Sequence, residues 1–193
     1  RKVTLERAHE FFGWVKERTA LAVGIVESST SRDEAWTFFT LGRSLERVDM
    51  TARLLATSEL TAASGPSWTT ILRSCGAYEA YLRTYRGVPS ATNAAEFLLL
   101  DRIFPRSVLF SIARAEACIS DLTTDSSRVG LDETLRMLGQ LRTNLEFRSA
   151  PAILANLTAE MQSLQQGITQ VSDSIRARYF PAILLPTWVG EAS

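Results

Sequence analysis

Residues 31–57 read SRDEAWTFFTLGRSLERVDMTARLLAT, and this stretch decides the fold. Phe38, Leu41, Leu45, Val48, Ala52 and Leu55 recur at spacings of three, four, three, four and three. A chain that turns about 100° per residue places all six on one stripe. Ser31-Arg32-Asp33-Glu34 has the form of a capping box, with Ser31 at the N-cap and Glu34 reaching back. The spacing therefore predicts a helix from about Ser31 to Thr57 or beyond.

Opposite the apolar stripe lie Arg43, Glu46, Arg47, Asp49 and Arg53. Glu46 and Asp49 are three apart and Asp49 and Arg53 four apart, which suits ion pairs along a helix surface. On spacing alone this is a solvated face, where each pair contributes only ~0.3–0.5 kcal/mol. The alternative is a partly buried polar network or an anion-binding groove. Arginine supplies every cation in the run, and its planar fork suits bidentate contacts to carboxylate or phosphate. The same bias runs through the chain, where Lys2 and Lys16 are the only lysines.

The helical period extends in both directions. Leu5, Phe12, Val15, Thr19, Ala22 and Val26 predict a helix from about Thr4 to Ser29. Thr61–Pro66 (TAASGP) is a loop by composition. Ser67 caps a third expected helix that runs through Tyr85 and is closed by Gly87 and Pro89. Ser90 or Thr92 opens a fourth, ending near Asp101. Pro105 then breaks the pattern, and a fifth helix is expected from about Arg106 to Leu122. After the polar connection Thr123–Gly130 come a sixth, Asp132–Phe147, and a seventh from Pro151 to about Tyr179. The tail Phe180–Ser193 contains Pro181 and Pro186 and is expected to be irregular. No segment alternates with period two. The fold class is all-α, a bundle of about six to seven helices without a sheet, in one domain spanning residues 1–193.

Composition agrees. The 10 glycines and 6 prolines are few for 193 residues, about two-thirds of the usual share, and so few breakers suit long helices. Lys and Arg number 21, as do Asp and Glu, so net charge gives no reason to expect nucleic acid or an anionic membrane as partner. The longest fully apolar run, Ala20–Val26, is far short of the ~20 residues a membrane span needs, and no signal peptide is visible. The expected compartment is the cytoplasm, with Cys75 and Cys118 as buried, reduced thiols. The chain starts at Arg1 without methionine, which is read as a fragment of a longer chain.

Catalytic templates are missing from the sequence: no GxxxxGK[ST], no GxGxxG after a strand, no GxSxG and no HExxH. The single histidine, His9, sits on the first helix and is read as an ordinary helix residue. With no CxxC pair, a Cys/His zinc site lacks ligands, and no metal or cofactor is expected in this chain. Asn156-Leu157-Thr158 matches a glycosylation sequon inside an expected helix and is read as chance. Tyr78, Tyr81 and Tyr85 fall at helical spacing and read as a packing stripe. Around Pro105, Asp101 and Ser107 read as cap and turn residues. The other reading gives Asp101, Arg102 and Arg106 to a polar or anion-binding site, with Arg106 and Ser107 at a helix N-terminus.

Three stretches together resemble a known family. Leu41–Leu55, LGRSLERVDMTARLL, is similar to the GR-x-x-ER-x-x-x-T-x-R signature of the bacterial alpha-E domain family. YLRTYRG, Tyr81–Gly87, and EFLLLDRIFPRS, Glu96–Ser107, resemble its later blocks. The resemblance spans about Phe11 to Phe180 and implies an all-helical domain. Such domains occur beside or fused after circularly permuted ATP-grasp domains, with transglutaminase-like peptidases as typical gene neighbours. It therefore implies an accessory or interaction domain for an ATP-grasp amide or peptide ligase, without activity of its own. Two alternatives stay open. One is an enzyme domain whose Arg43/Glu46/Arg47/Asp49/Arg53 face binds a phosphorylated or carboxylate substrate. The other is a structural assembly module. Full-length members carry an earlier W-x-GR-x-x-ER-x-x-x-T-AR helix, so the chain is expected to be the C-terminal two-thirds of such a domain. The resemblance also favours a shielded network on the Arg43–Arg53 face.

Overall fold

A computed structural model describes residues 8–60, 67–123 and 132–181. The loop expected at Thr61–Pro66, nearly all of the connection Thr123–Gly130 and nearly all of the tail Phe180–Ser193 lie outside the described residues. Among the described residues 82% are helical and none is in a strand, as the period predicts. No helix among them is long and apolar enough to cross a membrane.

Nine helices are described: α1 (Ala8–Ser29), α2 (Glu34–Leu60), α3 (Trp68–Ser74), α4 (Tyr78–Tyr85), α5 (Ala91–Leu100), α6 (Val108–Leu122), α7 (Glu133–Glu146), α8 (Ala150–Leu154) and α9 (Leu157–Tyr179). They are the seven expected helices, two of which are each broken once. The third breaks at Cys75-Gly76-Ala77, where Gly76 takes φ +61°, a conformation that costs an L side chain ~1–2 kcal/mol. The seventh breaks at Ala155-Asn156, where Asn156 leaves helical geometry at φ −141°, ψ 44°. The sequon asparagine thus stands at a helix break and not inside a helix. The cap of α2 is also corrected. Asp33 holds it, accepting from the Trp36 N–H at 3.1 Å, in place of Ser31. Its carboxylate is the stronger acceptor beside the positive helix end.

The chain divides into two compact units, Arg1–Phe39 and Thr40–Ser193. In the first, Arg32 joins the end of α1 to the start of α2. It donates to the Glu27 carbonyl at 2.7 Å and lies over the Trp36 ring at 4.4 Å.

The second unit is built around α5, ATNAAEFLLL. Ala94, Ala95, Phe97, Leu98 and Leu99 are all buried, the pattern of a helix enclosed on most sides. It packs against α3, α4, α6, α7 and α8, while α6 packs on α7 and α7 on α9. From Thr40 onward α2 buries Leu41, Leu45, Val48, Ala52 and Leu55, the apolar stripe read from the sequence. The α7–α9 crossing is close at Gly167, where a Cβ would come within 2.6 Å of the Leu141 side chain. Both cysteines are buried and free, and burial pushes the Cys75 thiol up to about 11.

Ion pairs tie the helix ends together. Arg142 on α7 bonds Glu116 on α6 at 2.8 Å and Glu146 at 2.6 Å. Arg148 grips Glu160 on α9 with two bonds of 2.6 and 2.8 Å. Arg178 on α9 pairs with Asp132, the N-cap of α7. Burial is the largest single influence on the Asp132 carboxyl and pushes it up. The Leu135 N–H, the Arg178 hydrogen bond and charge and the Thr134 N–H together outweigh that and hold it below its ordinary value. The Arg148 hydrogen bond likewise lowers Glu160, against burial. A carboxylate with a depressed folded pKa stabilises above its unfolded pKa and loses that contribution as pH falls through the folded one. Stability in urea should therefore hold from neutrality down to about pH 4 and decline below it. In Arg178→Ala the acid decline should shrink. An unchanged acid limb would show that Asp132 draws nothing from Arg178.

Candidate functional site: the Asp101–Ser107 turn

Between α5 and α6 the chain reads DRIFPRS, and Pro105 prevents one continuous helix. The turn is held first by its own side chains. Asp101 Oδ1 accepts from the N–H groups of Ile103 at 2.9 Å and Phe104 at 2.6 Å. Ser107, fully buried, accepts from the Phe110 N–H at 3.1 Å as the N-cap of α6, and its hydroxyl donates to the Asp101 carbonyl. These bonds satisfy backbone groups that helix ends otherwise leave open.

The α2 block grips the turn from outside. Arg47 donates from Nη1 to the Pro105 carbonyl at 3.2 Å, and Thr51 from Oγ1 to the Arg106 carbonyl at 3.4 Å. Arg106 reaches on to the Cys75 carbonyl at 3.0 Å, over Gly76. A Cβ at Gly76 would stand 3.1 Å from Arg106 Nη1, so the glycine serves both the turn of the chain and the passage of that guanidinium. Beneath lies an aromatic cluster. Tyr81 stacks on Tyr85 at 4.9 Å, both meet Phe97 edge to face, and Phe97 meets Phe104 of the turn at 4.9 Å. Tyr81 is fully buried in the core and Tyr85 half-buried beside it, while Tyr78 is half-buried against Arg73. Burial, then the charges of Glu96 and Asp101, raise the Tyr85 hydroxyl.

All three sequence blocks thus converge on this turn. The candidate residues themselves divide. Arg47, Asp101 and Arg106 come together there. Glu46 is exposed and pairs with no described residue. The two halves of the Glu46-Arg47 pair therefore differ, one facing solvent and one holding the turn. Asp49 and Arg53 pair with each other at 2.7 Å on the surface, and Arg43 is half-buried. Arg102 leaves the turn and pairs with Glu146 at the end of α7. Asp101 and Ser107 take the cap-and-turn roles, and Ser107 occupies the helix N-terminus that the anion reading needs.

Gly76 and the Cys75 carbonyl belong to no sequence motif that marks this role, and Thr51 stands out only as the threonine of the signature on Leu41–Leu55. A lone glycine inside an apolar helical pattern is the signal that could have found Gly76. His9 lies on α1. Among the described residues no group of three or more His, Cys, Asp or Glu side chains could hold a metal ion. The polar groups at the turn bind backbone. They fix a shape, with no nucleophile–base pair among them.

Residues 1–180 match the family model Alpha-E, described as a predicted alpha-helical domain with a conserved ER motif. The quoted ER pair, Glu46-Arg47, lies within that match. Uncharacterized proteins of Mycobacterium tuberculosis and Mycobacterium bovis are 27% identical over 179 residues, 86% of this chain and 20% of theirs. The chain thus spans about one-fifth of the length of these curated relatives. No solved structure matches.

Proposed function

The chain belongs to the Alpha-E family, and from that premise we propose that it is a non-catalytic accessory domain working with an ATP-grasp-type amide or peptide ligase in the cytoplasm, in cis or in trans. The observation that carries this reading is how the polar residues of the three blocks are used. Arg47, Thr51, Asp101, Arg106 and Ser107 each bond to backbone of the Asp101–Ser107 turn or of its α3–α4 neighbour. Catalytic groups converge on a reacting atom, whereas these converge on a loop and give it a fixed form. A protein that invests its signature residues in one rigid surface turn is suited to presenting that turn. The association with an ATP-grasp ligase comes from the resemblance of the three blocks, and a transglutaminase-like neighbour is a second partner of the same origin.

The test is ligation by the ATP-grasp protein encoded with this chain, with and without the chain present. The chain alone should neither hydrolyse Mg-ATP nor bind it in calorimetry, since it has no phosphate loop. Adding it should raise ligase turnover or lower the substrate concentration required. ATP turnover by the chain alone would replace this reading with the enzyme alternative.

A further inference from the structure

The Arg102–Glu146 ion pair joins the Asp101–Ser107 turn to the end of α7. The residue after each member is large, apolar and out in solvent. Ile103 is 83% exposed and Phe147 81%. Arg148 follows Phe147 and is the more exposed member of its pair with Glu160. Two apolar side chains and two arginines thus come from two segments that an ion pair brings together.

Of the two arginines Arg102 faces outward, while Arg148 is half-buried beside Glu160. The Arg102 side chain is 71% exposed and that of Glu146 only 13%. Glu146 is shared with Arg142 beneath. A guanidinium has five N–H donors, so Arg102 keeps several for a second carboxylate arriving from solvent. The turn behind Ile103 is already fixed by Asp101, Ser107, Arg47 and Thr51. An apolar side chain on a rigid support loses little backbone entropy on docking, which is the character of an anchor residue. Hydrophobic residues held this far into water gain the most from being covered.

We propose that Ile103 and Phe147, flanked by Arg102 and Arg148, form the docking surface for a protein partner that offers an apolar pocket rimmed by carboxylates. Charge selects that occupant. Two copies meeting through this patch would bring one outward Arg102 against another, with each Glu146 turned in. The assignment rests on the accessory reading, because it gives that domain its contact surface.

The experiment measures binding of the chain to the ATP-grasp protein encoded with it, by interferometry at low and at raised salt. Wild type should bind, and more weakly as salt rises. An Ile103→Ser/Phe147→Ser double variant should bind at least about tenfold more weakly, as expected when anchor residues are lost. Arg102→Glu should weaken binding and reduce its salt dependence. Val88→Ser, at an apolar residue 91% exposed elsewhere in the chain, should bind as wild type. All sites are exposed, and circular dichroism will confirm that the variants fold. If wild type binds and the double variant binds equally, the surface assignment is wrong and the accessory reading stands. If wild type does not bind, both fall. Self-association of wild type that the double variant abolishes would give the patch to a second copy and overturn the acidic partner.

Discussion

Replacing Phe97 with alanine should destabilise the helical unit by ~3–5 kcal/mol, the range for deleting a buried aromatic ring. Phe97 is 2% exposed and sits at the junction of Tyr81, Tyr85 and Phe104. Its loss would leave a void among three rings that belong to α4 and the turn. Those elements are held in place by α5, so the void has little freedom to close. Against a typical total of ~5–15 kcal/mol this is a large share, and the urea midpoint should fall steeply. Phe97→Leu should cost less than half as much. A loss below about 1 kcal/mol in Phe97→Ala would mean that the cluster collapses freely and does not support the turn.

Asp101→Ala should cost ~2 kcal/mol, because two backbone N–H groups lose a charged acceptor together. Asp101→Asn keeps a side-chain oxygen at the same reach and should cost under about 1 kcal/mol. Equal losses in the two variants would show that charge matters at this position and the bond geometry does not. If the turn presents Ile103 to a partner, Asp101→Ala should also weaken partner binding more than its stability loss accounts for at a temperature where the variant remains folded.

From α2 onward most helices expose one face and bury the other, which writes a 3.6-residue period into the sequence, whereas α1 has no buried residue and α5 is enclosed on most sides. The stripe from Leu41 to Leu55 is the clear case, and Asp132, Ser90 and Ser107 were readable at or next to the helix starts they cap. The breaks were harder. The apolar period runs on through Gly76, so only the glycine marks the interruption. At Ala155-Asn156 there is neither glycine nor proline, and the helix parts without a strong local signal. The site was legible in part. Asp101 and Ser107 act within a few residues, and their chemistry is local. Arg47 and Arg102 look alike in sequence, yet one takes a carbonyl and the other a carboxylate, because their partners lie more than forty residues away. The same holds for the outward set of Arg102. Which member of an ion pair faces water is decided by tertiary packing.

The bonds at the turn differ greatly in the length of chain they enclose, and this sets an order of assembly. Asp101 closes loops of two and three residues, which form on the fastest timescale available to a chain. Arg47 and Thr51 reach the same turn across 58 and 55 residues, and α3, α4 and α5 lie between. Closing so long a loop gains little until the intervening helices have condensed. The turn therefore acquires its shape early from its own aspartate, and α2 arrives late to latch a form that already exists.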